Sequence, residues 1–144
     1  MIQIHADKKV KEIKNFWNNI HFHPTDAIED EWGQRILNQM AADHMAETVR
    51  MYTMMEDIVT MDADGRLCYD FTENDVRMDY MVEKGFRLFL SYSFIPPCIA
   101  EHPDFTSNVS KNKTRYKGKM IIASKPVDYQ YWEEICYVYT KHIV

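Results

Sequence analysis

His21 and His23 stand two residues apart in the run Ile20-His21-Phe22-His23-Pro24, so if that run is a strand both imidazoles project to one side of it. Two imidazoles placed this way offer hydrogen bonds to the wall of a binding site, or two ligands to a divalent metal. A hydrolytic zinc centre needs a third protein ligand. No later segment carries a matched histidine or carboxylate cluster, so the wall role is expected and neither a metal nor another cofactor is assigned. The carboxylates fall into two groups, Asp26, Glu29, Asp30 and Glu31 in one, Glu56 and Asp57 in the other. Carboxyl groups just beyond strand ends are where general acids and bases for glycosidic cleavage would sit. The first group precedes a helix, whose N-terminal dipole accounts for it; Glu56 is kept as a site candidate. Tyr52, Tyr92, Phe94 and Tyr116 could present ring faces and hydroxyls to a sugar, or fill the core.

These residues need a framework, and the chain alternates strand and helix patterns. The run from Ile20 to His23 reads as a first strand closed by Pro24; Trp32, Ile36, Leu37, Met40 and Ala41 then recur at helical spacing up to Met45. Thr48 to Met54 is β-branched and aromatic enough for a second strand, Asp62-Ala63-Asp64-Gly65 marks a turn, and Leu67 to Phe71 reads as a short extended piece. Thr72 is expected to cap a second helix with Val76, Tyr80 and Met81 on its apolar side and Gly85 just past its end. Phe86 to Ile95 reads as a mostly buried third strand, stopped by Pro96-Pro97. A long polar excursion follows from Cys98 to Lys125, and Pro126 opens a third helix with Trp132, Ile135, Cys136, Tyr139 and Ile143 on one face. Strands alternating with helices build parallel sheets, and ligands bind at the C-terminal ends of their strands. The strand ends at His23, at Tyr52 to Met54 and at Phe94-Ile95 are therefore where a site is expected.

Composition narrows the function classes. A chain of 144 residues, 46% hydrophobic, is expected to form one domain over 1–144 with a real core. Its formal charge of −5, without a lysine or arginine block, gives no attraction for nucleic acid or an anionic membrane. A neutral small substrate such as a sugar suits it better. Glycine occurs only four times, no glycine-rich phosphate loop is present, and the ten methionines read as core filling. Cys68, Cys98 and Cys136 are odd in number and widely spaced, which suits free thiols in or near the core of a protein in a reducing compartment. No secretion signal or membrane span is read, and a cytoplasmic location is expected.

Phe16-Trp17, Thr48-Val49-Arg50-Met51-Tyr52, Tyr80-Met81-Val82-Glu83-Lys84-Gly85-Phe86 and Ser91-Tyr92-Ser93-Phe94-Ile95-Pro96 together resemble the opening of glycoside hydrolase family 39, which contains β-xylosidases and α-L-iduronidases. The later Tyr116-Lys117-Gly118, Pro126 to Trp132 and His142 are similar to the same family's third loop and helix. The resemblance implies a (β/α)8 TIM barrel and retaining chemistry, with an acid/base glutamate in an Asn-Glu-Pro motif ending the fourth strand and a nucleophilic glutamate ending the seventh. Neither motif occurs here, so no residue is assigned a catalytic role. Where the family's second strand ends in His-Gly this chain has Tyr52-Thr53, and His21-Phe22-His23-Pro24 replaces a glycine-rich first-strand end, which points to a sugar other than xylose.

The expectation is thus an α/β chain forming an incomplete barrel, its first three βα units, that ends inside a helix at Lys141 to Val144. It is expected to carry part of a carbohydrate-binding wall made by His21, His23, Tyr52, Glu56 and Phe94, and to be inactive alone. Open strand edges predict a homo-oligomer through those edges. A non-enzymatic carbohydrate-binding or assembly module, and more weakly a metal-dependent hydrolase using His21 and His23, are the alternatives.

Overall fold

The computed structural model describes residues 18–21, 31–106 and 121–144. His23 and Tyr116 lie outside them. Three strands, β1 (Asn19–His21), β2 (Thr48–Tyr52) and β5 (Arg87–Ser91), form one parallel sheet in the order β1-β2-β5. The register sets His21 beside Arg50 and Tyr52 beside Ser91. Parallel neighbours need crossovers, supplied here by helix α1 (Glu31–Ala42) between β1 and β2, and by helix α3 (Thr72–Glu83) before β5.

The alternation along β2 explains the layering. Val49 and Met51 are buried and meet Leu37 of α1 and Met81 of α3, joined by Phe86 and Ala46. Arg50 and Tyr52 project to the opposite side and stay partly open. On β5 Leu88 and Leu90 face the helices, whereas Phe89 is 60% exposed. The expected mostly buried third strand is therefore buried on one face only. A second core gathers Met55, Ile58, Val59 and Ile99 around Ile135 and Tyr139 of the last helix, α4 (Tyr129–Ile143).

Several boundaries differ from the sequence reading. The second strand ends at Tyr52 rather than Met54, because Met54 takes a left-handed conformation (φ 53°) and starts the single-turn helix α2 (Met55–Ile58). Strands β3 (Val59–Met61) and β4 (Leu67–Tyr69) pair antiparallel about the expected Asp62–Gly65 turn, in which Asp62 Oδ1 accepts the Asp64 and Arg66 N–H groups. Thr72 is the first residue of α3 and not its cap: the Asp70 carboxylate, its pKa lowered by hydrogen bonding to Thr72, takes the Thr72 N–H at 3.0 Å. The buried side of α3 includes Met81, with Tyr80 packed against the same core as expected, but it is not purely apolar. Val76 is 59% exposed while Asn74 and Arg77 are buried, because both find polar partners inside. Gly85 ends the helix at φ 86°, as a left-handed C-terminal residue should. The last helix opens at Tyr129, capped by Asp128 Oδ1 accepting the Gln130 N–H, and Pro126 instead bridges to Ala100. Cys68 is exposed rather than near the core, while Cys98 and Cys136 are partly buried. No described helix is long and apolar enough to cross a membrane.

Candidate functional site

His21, Tyr52 and Phe94 come together at the C-terminal ends of the parallel strands. The His21 ring meets Tyr52 edge-on with centroids 5.0 Å apart, and Tyr52 lies 5.1 Å from Phe94 in a tilted contact. The parallel register produces this arrangement: Tyr52 ends β2 between the end of β1 and the segment following β5, which curls back over it. The Ser93–Phe94 peptide in that segment is cis.

Glu56 is brought to the same place, with one use already visible. Its Oε2 accepts the Phe94 N–H at 3.0 Å, so the carboxylate holds the backbone that carries the Phe94 ring. Asp57, its neighbour in sequence, turns the other way and pairs with the buried Arg77 at 3.3 Å; Glu73 completes that ion pair at 3.2 Å from an exposed position. The two adjacent carboxylates thus divide between the strand-end cluster and the α2–α3 contact. Of the remaining aromatics considered, Tyr92 bonds to Thr140 through its hydroxyl and packs edge-on against Tyr139, which makes it part of the second core.

A buried polar network fixes the strand ends from behind. Asn74 Nδ2 donates to the Thr53 carbonyl at 2.9 Å, and its Oδ1 accepts from the Tyr139 hydroxyl at 2.9 Å. Burial drives the Tyr139 hydroxyl pKa well above its ordinary value, so the group stays a neutral donor. Thr53 Oγ1 in turn accepts the Ser93 N–H and reaches the Ser91 carbonyl. Helices α3 and α4 are thereby tied to the residues immediately after Tyr52 and before Phe94.

Arg50 was not among the expected site residues, yet it sits at the centre of the cluster. Its Nη1 lies 2.9 Å from His21 Nδ1, its Nη2 donates to Ser91 Oγ at 3.1 Å, and its guanidinium carbon is 5.2 Å from the Tyr52 ring centroid. A charged residue at an open position of a parallel strand, two before an aromatic, is the signal that would have found it. Burial first and this cation second lower the His21 pKa below its ordinary 6.5. A guanidinium beside Nδ1 repels a metal dication, which counts against the His21 and His23 metal reading. Among the described residues no three His, Cys, Asp or Glu side chains gather around a common point. What the arrangement can do is present donors and ring faces to a neutral polyhydroxylated ligand.

Similarity to known proteins bears on the same question. A β-xylosidase from Caldicellulosiruptor saccharolyticus is 24% identical over 149 residues, covering 99% of this chain and 28% of that protein. The crystal structure of the GH39 enzyme from Xanthomonas axonopodis pv. citri superposes with a TM-score of 0.68 at 20% identity, over 87% of this chain and 23% of the other. A GH39 β-xylosidase from Caulobacter crescentus gives 0.67 at 19% identity, over 87% and 26%. At such identity the structural likeness speaks for the fold, and the chain spans about a quarter of the length of these relatives. The model of the family described as glycosyl hydrolases family 39 matches residues 1–144, and a match over the full length means that this chain belongs to that family.

Proposed function

We propose that this chain supplies the first three βα units of a β-xylosidase-like (β/α)8 barrel, and that the ends of β1, β2 and β5 form part of its sugar-binding wall. In this reading His21, Tyr52, Glu56 and Phe94, with His23 and now Arg50, line the wall, while the general acid and the nucleophile of a retaining mechanism belong to later strands of such a barrel. Two carboxyl groups about 5 Å apart across the scissile bond are needed for retention. The observation that carries the reading is the chemistry of the open sheet face: aromatic, cationic and imidazole side chains converge where βα loops follow parallel strands, in a chain of this family. Tyr52 in place of the family's histidine shapes the preference for a sugar different from xylose.

The test pairs catalysis with binding. The purified chain is expected not to hydrolyse aryl β-xylosides or related aryl glycosides, and to show ligand-dependent NMR shifts at Tyr52, Phe94 and His21 on titration with pentoses or hexoses at tens of millimolar. Turnover above buffer that survives repurification and disappears on mutating a residue of this chain would refute the assignment of catalysis to other strands. Shifts absent with every sugar would remove the wall.

A further inference from the structure

The histidine at the end of β1 and the arginine beside it on β2 fix each other's chemistry. Arg50 Nη1 and His21 Nδ1 are 2.9 Å apart. A guanidinium offers only N–H donors and keeps its charge at any pH a folded protein meets. Nδ1 is therefore the acceptor of this bond and carries no proton, and the neutral ring must hold its proton on Nε2. The guanidinium has little freedom to do otherwise. Its second nitrogen is tied to Ser91 on the next strand, and its central carbon lies over the Tyr52 ring. Among the described residues, Arg50 and the Tyr52 ring are the charged and titratable groups facing His21, and no carboxylate bonds to either the imidazole or the guanidinium.

We propose that Arg50 is a positioning residue that locks His21 as its neutral Nε2–H tautomer, making it a fixed hydrogen-bond donor to an uncharged oxygen, the class to which a sugar hydroxyl belongs. In this state neither ring nitrogen keeps a free lone pair: one accepts from Arg50 and the other is protonated. His21 then serves neither as a general base nor as a metal ligand. Protonating Nδ1 would point a proton at an N–H donor and set a second positive charge against the guanidinium, so the neutral donor persists below the pH at which an ordinary histidine charges. The tautomer follows from bond geometry alone, whereas the identity of the acceptor rests on the sugar-wall reading above.

Long-range 1H–15N NMR of the uniformly 15N-labelled chain between pH 5 and 8 decides it, with the His21 ring signals assigned by their loss in His21→Gln. The wild-type neutral limb is expected to show an unprotonated Nδ1 and a protonated Nε2, with a midpoint below 6.5. In Arg50→Met the midpoint is expected to rise toward 6.5 as the neighbouring charge is lost. A protonated Nδ1 in the neutral ring, a wild-type midpoint at or above 6.5, or a midpoint unmoved in Arg50→Met overturns the proposal. If Arg50→Met does not fold, Ser91→Ala releases one tether of the guanidinium and is expected to move the midpoint the same way by less, and the wild-type spectrum alone can still overturn the lock. Titration with pentoses and hexoses separates the two halves: an intact tautomer with no shift at Nε2 while Tyr52 and Phe94 respond removes the ligand assignment and leaves the wall, silence at all three residues removes both, and a sugar-dependent shift from an Nδ1–H ring removes the lock and leaves the wall.

Discussion

Replacing Arg77 with methionine should destabilise the protein severely, and the reason is the carboxylate it leaves behind. Arg77 and Asp57 are 3% and 6% exposed at their side chains and 3.3 Å apart, so the pair is shielded from water on both sides. Glu73, 70% exposed, is the minor partner; ion pairs with one solvated member contribute about 1 kcal/mol or less. Removing one member of a buried pair costs about 3–5 kcal/mol, because the remaining charge loses the opposite charge that offset its burial. With a urea m-value of about 2 kcal/mol/M for a small domain, the midpoint should fall by about 1.5–2.5 M. Urea unfolding followed by far-UV circular dichroism at fixed protein concentration measures this. The double variant Arg77→Met, Asp57→Leu should recover most of the loss, since similar-sized apolar groups often replace a buried pair without cost. Because Asp57 is adjacent to Glu56 on α2, the single variant should also shift the Phe94 amide resonance, whose N–H is held by Glu56. A single-variant cost below about 1 kcal/mol, or a double variant no better than the sum of its parts, would show that the pair is not the buried charge contact described here.

Leu37→Ala, at a fully buried position between α1 and the sheet, should cost about 2–5 kcal/mol in the same urea assay. Tyr139→Phe should cost about 1–3 kcal/mol by leaving the buried Asn74 Oδ1 without its donor, and a neutral result would mean that water or a rearranged amide replaces it. Burial raises the thiol pKa of Cys98 and Cys136, so their alkylation at pH 7.5 should be slow and should accelerate with pH through and above 9, behind a fast phase at the exposed Cys68; three equal rates would contradict this. The open sheet face, with Phe89 exposed, is expected to drive self-association, so light scattering across a dilution series should show a concentration-dependent mass, and a compact monomer with cooperative unfolding at low micromolar concentration would refute that expectation.

Much of the framework was legible in the residues themselves. The helical spacing around Leu37, the β-branched run at Thr48 to Tyr52, the Asp62–Gly65 turn and Gly85 after the second helix each express a local rule, a period of 3.6 or 2 or a glycine at positive φ, that needs no distant partner. Local rules also misled where a partner was distant. Val76 was expected on the apolar side of its helix and is exposed, whereas Asn74 and Arg77, which carried no expectation, are buried because Thr53, Tyr139 and Asp57 supply their polar contacts. Met54 ended the second strand early because a left-handed turn places Glu56 under Phe94, a contact across 38 residues.

The candidate site divides in the same way. His21, Tyr52, Glu56 and Phe94 could be named from their types and their positions near strand ends, because side chains there must face the loops of a parallel sheet. What only the tertiary structure decided is how they are used: Glu56 but not Asp57 in the cluster, and Arg50 as the hub joining His21, Ser91 and Tyr52. Arg50 and His21 are 29 positions apart and meet because the parallel register pairs their strands, and register is set by which faces of several strands are buried together, a property of the assembled sheet that no single segment encodes.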